Sequence, residues 1–263
     1  MNTPYALISG ASDGIGFELA KLFIQADYNL VIVSDNMTKL KKAEAQLQQF
    51  SAGHKIEIIE SDLAAPEGAK FVFDSVMERG IEIEVLVNNA GVGVYGDFAS
   101  ETNLKEEMRM LQLNTFSVVA LSKYFVRGMV QRGSGKILIT SSIAGMSGAP
   151  WLTVYGATKA FDYIFALGLR EELKDTGVTV TALLPSQTDT NFFNRADMEN
   201  SKITETKMAD PAKVAKAGFD ALMENDGHVA SPLRSKFMAS LANFVPDELM
   251  THFAEKQQKP INH

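Results

Sequence analysis

The chain has 263 residues, 46% of them apolar and 22% charged, which is ordinary globular composition with enough material for a sizeable core. Its net charge of -7 and the absence of a basic run set the wrong field for nucleic acid or anionic lipid. Without cysteine there are no disulfides or thiolate metal sites, and His54, His228, His252 and His263 fall outside metal-ligand spacing, so no metal is expected.

The opening stretch MNTPYALISGASDGIG lacks a basic segment followed by an apolar run and a cleavage site. No segment approaches the ~18 apolar residues of a membrane span. The expectation is a cytoplasmic protein without stable membrane insertion. Along the chain, apolar or β-branched runs read as strands at 5–9, 29–34, 55–60, 84–88, 136–141, 178–184 and, more weakly, 228–231. Stretches of helical period separate them. Met37, Leu40, Ala43, Leu47 and Phe50 recur at steps of three and four, as on an amphipathic helix. The stretch 101–132 reads as one unusually long helix, with an apolar stripe wide enough for a subunit contact. Asp210-Pro211 opens a further helix over 211–225. Strands alternating with helices predict an α/β fold, a doubly wound parallel sheet of about seven strands with helices on both faces. No repeat or linker-like shift interrupts the pattern, so a single domain over 1–263 is expected.

ISGASDGIG places Gly10, Gly14 and Gly16 between the first strand and a helix beginning near Ile15. Such a loop turns tightly, brings backbone close to a ligand and aims helix N-terminal N–H groups at an anion. The spacing is GxxxGxG and points to a nucleotide phosphate. Asp35 ends the second strand nineteen residues after Gly16, where a carboxylate would accept hydrogen bonds from a ribose 2′-OH and repel a 2′-phosphate. Asp13, Ser34 and Asn36 also favour NAD over NADP, while Lys39 lies close enough in sequence to work against that preference.

YGATK carries Tyr155 and Lys159 four residues apart, which puts a phenol and an ammonium on one helix face. A tyrosine base must drop about 3 units from its reference pKa of ~10, about 4 kcal/mol, to be ionised near neutrality. A neighbouring ammonium and an oxidised nicotinamide ring pull in that direction.

With this glycine loop, NNAG at 88–91, Asn114, TSS at 140–142 and YGATK in one order, the chain resembles the short-chain dehydrogenase/reductase family from about residue 3 to 231. The resemblance implies a Rossmann-like fold and a cofactor loop at Ser9, Gly10, Ser12, Asp13, Gly14, Ile15 and Gly16. It implies an adenine contact from Asp62 with Leu63, and support around Asn88, Ala90 and Gly91. Its catalytic group maps onto Asn114, Ser142, Tyr155 and Lys159. Ser142 is taken over Ser141 because it lies thirteen residues before the tyrosine. In that scheme Tyr155 exchanges a proton with the substrate oxygen, Ser142 donates to that oxygen, Lys159 binds the nicotinamide ribose, and Asn114 holds a water that links Lys159 to solvent. Pro185, Thr188 and Thr190 would flank the nicotinamide. Two positions depart from the family pattern: Ser9 stands where Thr is usual, and Pro185-Ser186 replaces Pro-Gly, which makes the contacts of Thr188 and Thr190 less secure.

The expected activity is hydride transfer between NAD and a small-molecule secondary alcohol or ketone. The alternatives are an NADPH-dependent carbonyl or 3-oxoacyl reductase, or a nucleotide-binding scaffold without turnover. Phe98, Met146, Trp151, Phe192 and Phe193 would give the substrate an apolar surround. Segment 187–209 would be a lid that orders on ligand binding. The extension 232–263, with Phe237, Leu241, Phe244, Leu249 and Phe253, would cover the pocket in preference to packing on a second subunit or resting on a membrane. A homodimer or homotetramer would form through 101–132 and the helix after Trp151.

Overall fold

Seven apolar runs form seven parallel strands: β1 (Tyr5–Ser9), β2 (Asn29–Ser34), β3 (Ile56–Glu60), β4 (Ile83–Asn88), β5 (Gly135–Thr140), β6 (Val178–Pro185) and β7 (His228–Ser231). Each lies within a residue of its expected bounds. They hydrogen-bond in the order β3-β2-β1-β4-β5-β6-β7. The computed structural model describes residues 3–196, 198, 201, 208–231, 251–252, 254–255 and 258–260. The expected apolar positions 237, 241, 244, 249 and 253 lie outside these, as does part of 187–209.

Strand alternation feeds two cores. Leu7, Val31, Val33 and Leu86 face one layer, where Val72 and Val76 of α3 (Gly68–Glu78) and Leu121 and Phe125 of α5 (Ser117–Arg132) pack. Ala6, Ile8, Leu30, Ile32 and Val87 face the other, against Leu19 and Phe23 of α1 (Gly14–Gln25), Leu40 and Leu47 of α2 (Met37–Leu47), and Val214 and Leu222 of α8 (Pro211–Met223). Because both sheet faces are covered, the strands are apolar almost throughout. Asn36 caps α2 by accepting from Lys39 N, and Asp210 caps α8 by accepting from Ala212 N. The strand order reverses between β1 and β4, which opens a crevice at their carboxyl ends, the usual ligand position in such sheets.

The expected single helix over 101–132 is instead α4 (Leu104–Leu111), a π turn (Gln112–Phe116) and α5. Asp97 holds the preceding turn by accepting from Ala99 N and Ser100 N, and Asn103 caps α4. In the wider π turn, the Thr115 and Ser117 hydroxyls donate to Leu111 O and Leu113 O at 2.7 and 2.6 Å. Those bonds satisfy carbonyls that the irregular ladder would otherwise strand. The turn carries Asn114 and Thr115 into the interior. Helix α6 (Thr153–Leu173) lies beside it and brings YGATK to the crevice. Among the described residues, no helix is long and apolar enough to cross a membrane.

Candidate active site

The glycine loop is built by close approach. Gly10 has φ +69°, a left-handed conformation, and a Cβ there would meet Ala90 Cα at 2.9 Å. A Cβ on Gly16 would lie 2.3 Å from Gly10 O, so α1 can pack on the loop only with glycine there. The buried Ser9 hydroxyl donates to Val87 O and accepts from Asn89 N and Ala90 N at 2.9 and 3.1 Å. Serine's hydroxyl therefore ties β1 to the NNAG turn, and the absence of the family's usual threonine methyl costs the network no hydrogen bond.

A single crevice runs past Gly10, Ser12, Asp13, Gly14, Ile15, Asp35, Asp62, Leu63, Ala90, Gly91, Ser142, Tyr155, Lys159, Pro185, Thr188 and Thr190. Four sequence candidates lie behind its wall and brace it. Ser9 and Gly16 do so as described, and the Asn88 amide donates to Ser122 Oγ at 3.0 Å. Asn114 accepts from Val92 N and donates to Val92 O and Thr158 Oγ1, at 3.0, 2.9 and 3.1 Å. Both amide hydrogens of Asn114 are thus taken by protein, so its side chain clamps the turn after Gly91 onto α6 and has only acceptor capacity left for water.

At one end of the crevice, Arg109 of α4 forks onto Asp62 with N–H···O distances of 2.8 and 3.2 Å. The guanidinium holds the Asp62 carboxyl below the usual carboxylate range, helped by a hydrogen bond from Ala64 N. Arg109 also feels the charge of Asp35. It is a cation among the acids at this end of the crevice that no motif in the sequence announced.

At the other end, Tyr155 and Lys159 are both buried and both face the crevice. Ser142 Oγ accepts from Ala144 N at 3.1 Å and donates to Pro185 O at 3.4 Å, and it stands near enough to the Tyr155 hydroxyl to favour the phenolate. Ser141 Oγ is turned away, donating to Lys159 O at 2.6 Å. Geometry therefore separates the two serines as their spacing to the tyrosine does. Lys159 Nζ donates to Thr140 O at 2.8 Å and to Asp162 Oδ2 at 2.9 Å. Burial pushes the Tyr155 phenol above its ordinary value; Lys159 and the neighbouring Ser142 hydroxyl oppose this, and among protein groups alone burial prevails. The four-residue spacing shows the ammonium beside the phenol but not how deeply both are buried or that Asp162 joins them.

The chamber beyond Tyr155 is lined by Met146, Ala149, Leu152, Phe192, Phe193 and Met198. Met146, Phe192 and Phe193 were expected there. Phe98 is 60% exposed, turned outward by the Asp97-capped turn, and Trp151 lies outside the lining. Helix α7 (Phe192–Arg195) leans on the tyrosine, with the Phe192 and Tyr155 ring centroids 5.2 Å apart. Both ends of the 187–209 excursion are pinned together, since Ala209 N donates to Gln187 O and Asp189 N to Ala209 O, each at 2.8 Å. The Thr188 hydroxyl is spent on Ser186 O at 2.8 Å, and Thr190 lies over Gly14. From the C-terminal segment, Ala254 and Gln258 join the lining. The Tyr95 hydroxyl donates to Gln258 O, and Ser201 bridges to Pro260, which ties that segment to the excursion. The tail contacts carry no sequence motif, because they depend on where a non-local segment lands.

A sequence model of the short chain dehydrogenase family matches residues 4–201. The Bacillus subtilis (strain 168) protein called uncharacterized oxidoreductase YmfI is 30% identical, across 88% of this chain and 96% of its own. A short-chain dehydrogenase from Sphingobium yanoikuyae in complex with NADPH superposes with a TM-score of 0.83 at 29% identity, covering 94% of this chain and 95% of its own. The bulky-bulky ketone specific alcohol dehydrogenase from Comamonas testosteroni gives a TM-score of 0.79 at 28% identity, with 95% of each chain covered. With this match over most of its length, the chain belongs to the short-chain dehydrogenase family and is an oxidoreductase that works with a nicotinamide cofactor.

Proposed function

We propose that the protein interconverts a secondary alcohol and a ketone in the chamber beyond Tyr155, with NAD as the preferred cofactor. The observation that carries the reading is the convergence of Ser142, Tyr155 and Lys159 on one wall of a crevice whose other end is the glycine loop. A dinucleotide suits that crevice. Gly91 presents bare backbone to it, and a Cβ there would lie 3.5 Å from Lys159 Nζ, in the space before the ammonium. Asp35 would take the adenosine ribose hydroxyls, the N-terminus of α1 the pyrophosphate, Asp62 and Leu63 the adenine, and Lys159 the second ribose. Pro185 and Thr190 would border the nicotinamide, while the Thr188 hydroxyl, already donating to Ser186 O, has acceptor capacity to offer. A nicotinamide held there supplies hydride exchange, and the side chains supply the proton and the field.

In reduction, the Tyr155 phenol gives its proton to the carbonyl oxygen while Ser142 donates a hydrogen bond to that oxygen as charge develops on it. In oxidation, the Tyr155 phenolate takes the alcohol proton. Burial raises the Tyr155 phenol and suits it to give a proton in reduction, whereas in oxidation Lys159 and an oxidised nicotinamide ring would pull the phenol toward its ionised form. The apolar chamber suits a ketone with hydrocarbon on both sides. Gln258 adds an exception: its side-chain oxygen is buried at the chamber without a hydrogen-bond partner among the described residues. A substrate hydroxyl or amide N–H remote from the carbonyl would satisfy it.

A second reading, NADPH-dependent carbonyl reduction, is favoured by Arg109, whose guanidinium stands within the field of Asp35 and could meet a 2′-phosphate. The polypeptide is also proposed to self-associate, through the exposed Phe116 and Val119 beside Phe161 and Ile164 of α6. Titration with NADH and with NADPH, followed by energy transfer from Trp151, distinguishes the two cofactor readings, and a panel of bulky ketones tests the reaction. Tighter binding of NADH with ketone reduction supports the first reading. Nucleotide binding without turnover of any ketone would leave the nucleotide-binding scaffold.

A further inference from the structure

We propose that Asp162 is a positioning residue, which fixes the Lys159 ammonium against β5 with one N–H left for the crevice and offsets that ammonium's field at Tyr155. The proposal goes beyond the reading above, although it takes from it that Tyr155 and Lys159 share a site.

Asp162 lies one helical turn after Lys159 and is 0% exposed. Its Oδ2 accepts from Lys159 Nζ at 2.9 Å, while Thr140 O accepts from the same nitrogen at 2.8 Å. An ammonium has three hydrogens. Two are directed into protein, and the third is left on the side where Lys159 lines the crevice. The other oxygen of Asp162 is buried without a hydrogen-bond partner.

That geometry is costly if its purpose is only stability. Burying an ion pair seldom gains against apolar residues of similar volume, and an unsatisfied carboxylate oxygen adds to the cost. A functional gain would explain why it is tolerated. The charged and titratable groups acting on Asp162 are Lys159 and, through Tyr155, the phenol, both on its own helix. From β5 it is approached through the Thr140 carbonyl that shares the ammonium, and the neighbouring π turn meets α6 through the bond from Asn114 to Thr158, neither of which titrates. The Lys159–Asp162 pair therefore has no net charge, and the carboxylate itself opposes ionisation of Tyr155. The pair keeps the tyrosine a phenol across the neutral range and suits it to donate a proton.

The test is Asp162→Asn, which keeps shape and an oxygen that can accept from Nζ but removes the charge. Ultraviolet phenolate absorbance is titrated with pH as the difference between each protein and its Tyr155→Phe partner, so that Tyr155 alone is read and no substrate is needed. The expected result is a Tyr155 midpoint lower by about one unit, a tenfold rise in phenolate at fixed pH, in a protein with wild-type near-ultraviolet circular dichroism. Asp162→Glu, which restores the charge, should restore the midpoint. Asp162→Ser, smaller than the residue it replaces, serves if the Asn variant does not fold, with the same shift expected. An unmoved midpoint in a folded variant overturns the proposal. Failure of both uncharged variants to fold also overturns it, by assigning the carboxylate to stability alone. Because the readout is spectroscopic, these outcomes are separate from any loss of turnover in Tyr155→Phe.

Discussion

Substituting Gly91 by alanine should separate stability from cofactor binding. Gly91 does not have a left-handed backbone, and an added Cβ would meet Asn114 Oδ1 at 3.4 Å and Lys159 Nζ at 3.5 Å, both ordinary contacts. The fold should therefore tolerate the methyl, and losing glycine's unfolded-state freedom could stabilise the protein by about 0.4–1 kcal/mol. The rest of that methyl faces the crevice, where it would overlap a bound dinucleotide. An extra methyl in a filled site costs about 1–3 kcal/mol, which corresponds to roughly a five- to 150-fold weaker Kd at about 1.4 kcal/mol per tenfold. Urea denaturation gives the stability, and energy transfer from Trp151 to NADH gives the affinity. Unchanged NADH affinity in the folded Gly91→Ala protein would refute this path for the cofactor. Gly10→Ala is the contrasting control. Its left-handed backbone and 2.9 Å approach to Ala90 Cα predict destabilisation of more than about 1 kcal/mol.

Reduction should hold steady at neutral pH and fall as pH rises through the raised Tyr155 pKa, whereas oxidation should rise over the same interval; initial rates across pH in both directions check this, and a reduction rate that climbs with pH would contradict it. Arg109→Ala removes a half-exposed ion pair and should cost at most about 1 kcal/mol in thermal stability. The same variant should weaken NADPH more than NADH in parallel titrations, and equal loss for both would remove Arg109 from the phosphate argument. Tyr95, whose phenol is pushed up to about 12 by burial and then by Glu101, anchors the tail through Gln258 O. Tyr95→Phe should raise KM for a bulky ketone several-fold with little change in NADH affinity, as steady-state kinetics would measure.

Much of this architecture was legible in the chain because a parallel sheet buried on both faces must be written in continuous apolar runs. NLVIVS and KILIT are such runs, and their strands fall where expected. Local chemistry was equally readable: Asp210-Pro211 starts α8. The π turn was not readable, since its helical period continues through residues 112–116 and only the hydroxyls of Thr115 and Ser117 hint at the irregular ladder. In the site, YGATK announced Tyr155 and Lys159 through spacing, yet the sign of the tyrosine's shift depends on burial and on Asp162, which only the folded chain reveals. Arg109 meets Asp62 across 47 residues of sequence, and Gln258 meets Tyr95 across 163, distances at which local pattern carries no information. Phe98 and Trp151 show the converse, since aromatic character alone did not place them in the chamber.

The assignment of Tyr155 as the proton donor is tested most directly by Tyr155→Phe, which keeps the ring packed on Phe192 and removes only the hydroxyl. The decisive measurement is ketone reduction by the variant at saturating NADH, with nucleotide affinity measured on the same preparation. The expected loss is about 10²–10⁴-fold in kcat, with NADH affinity within a few-fold of the wild type. Retention of most of the turnover would contradict it.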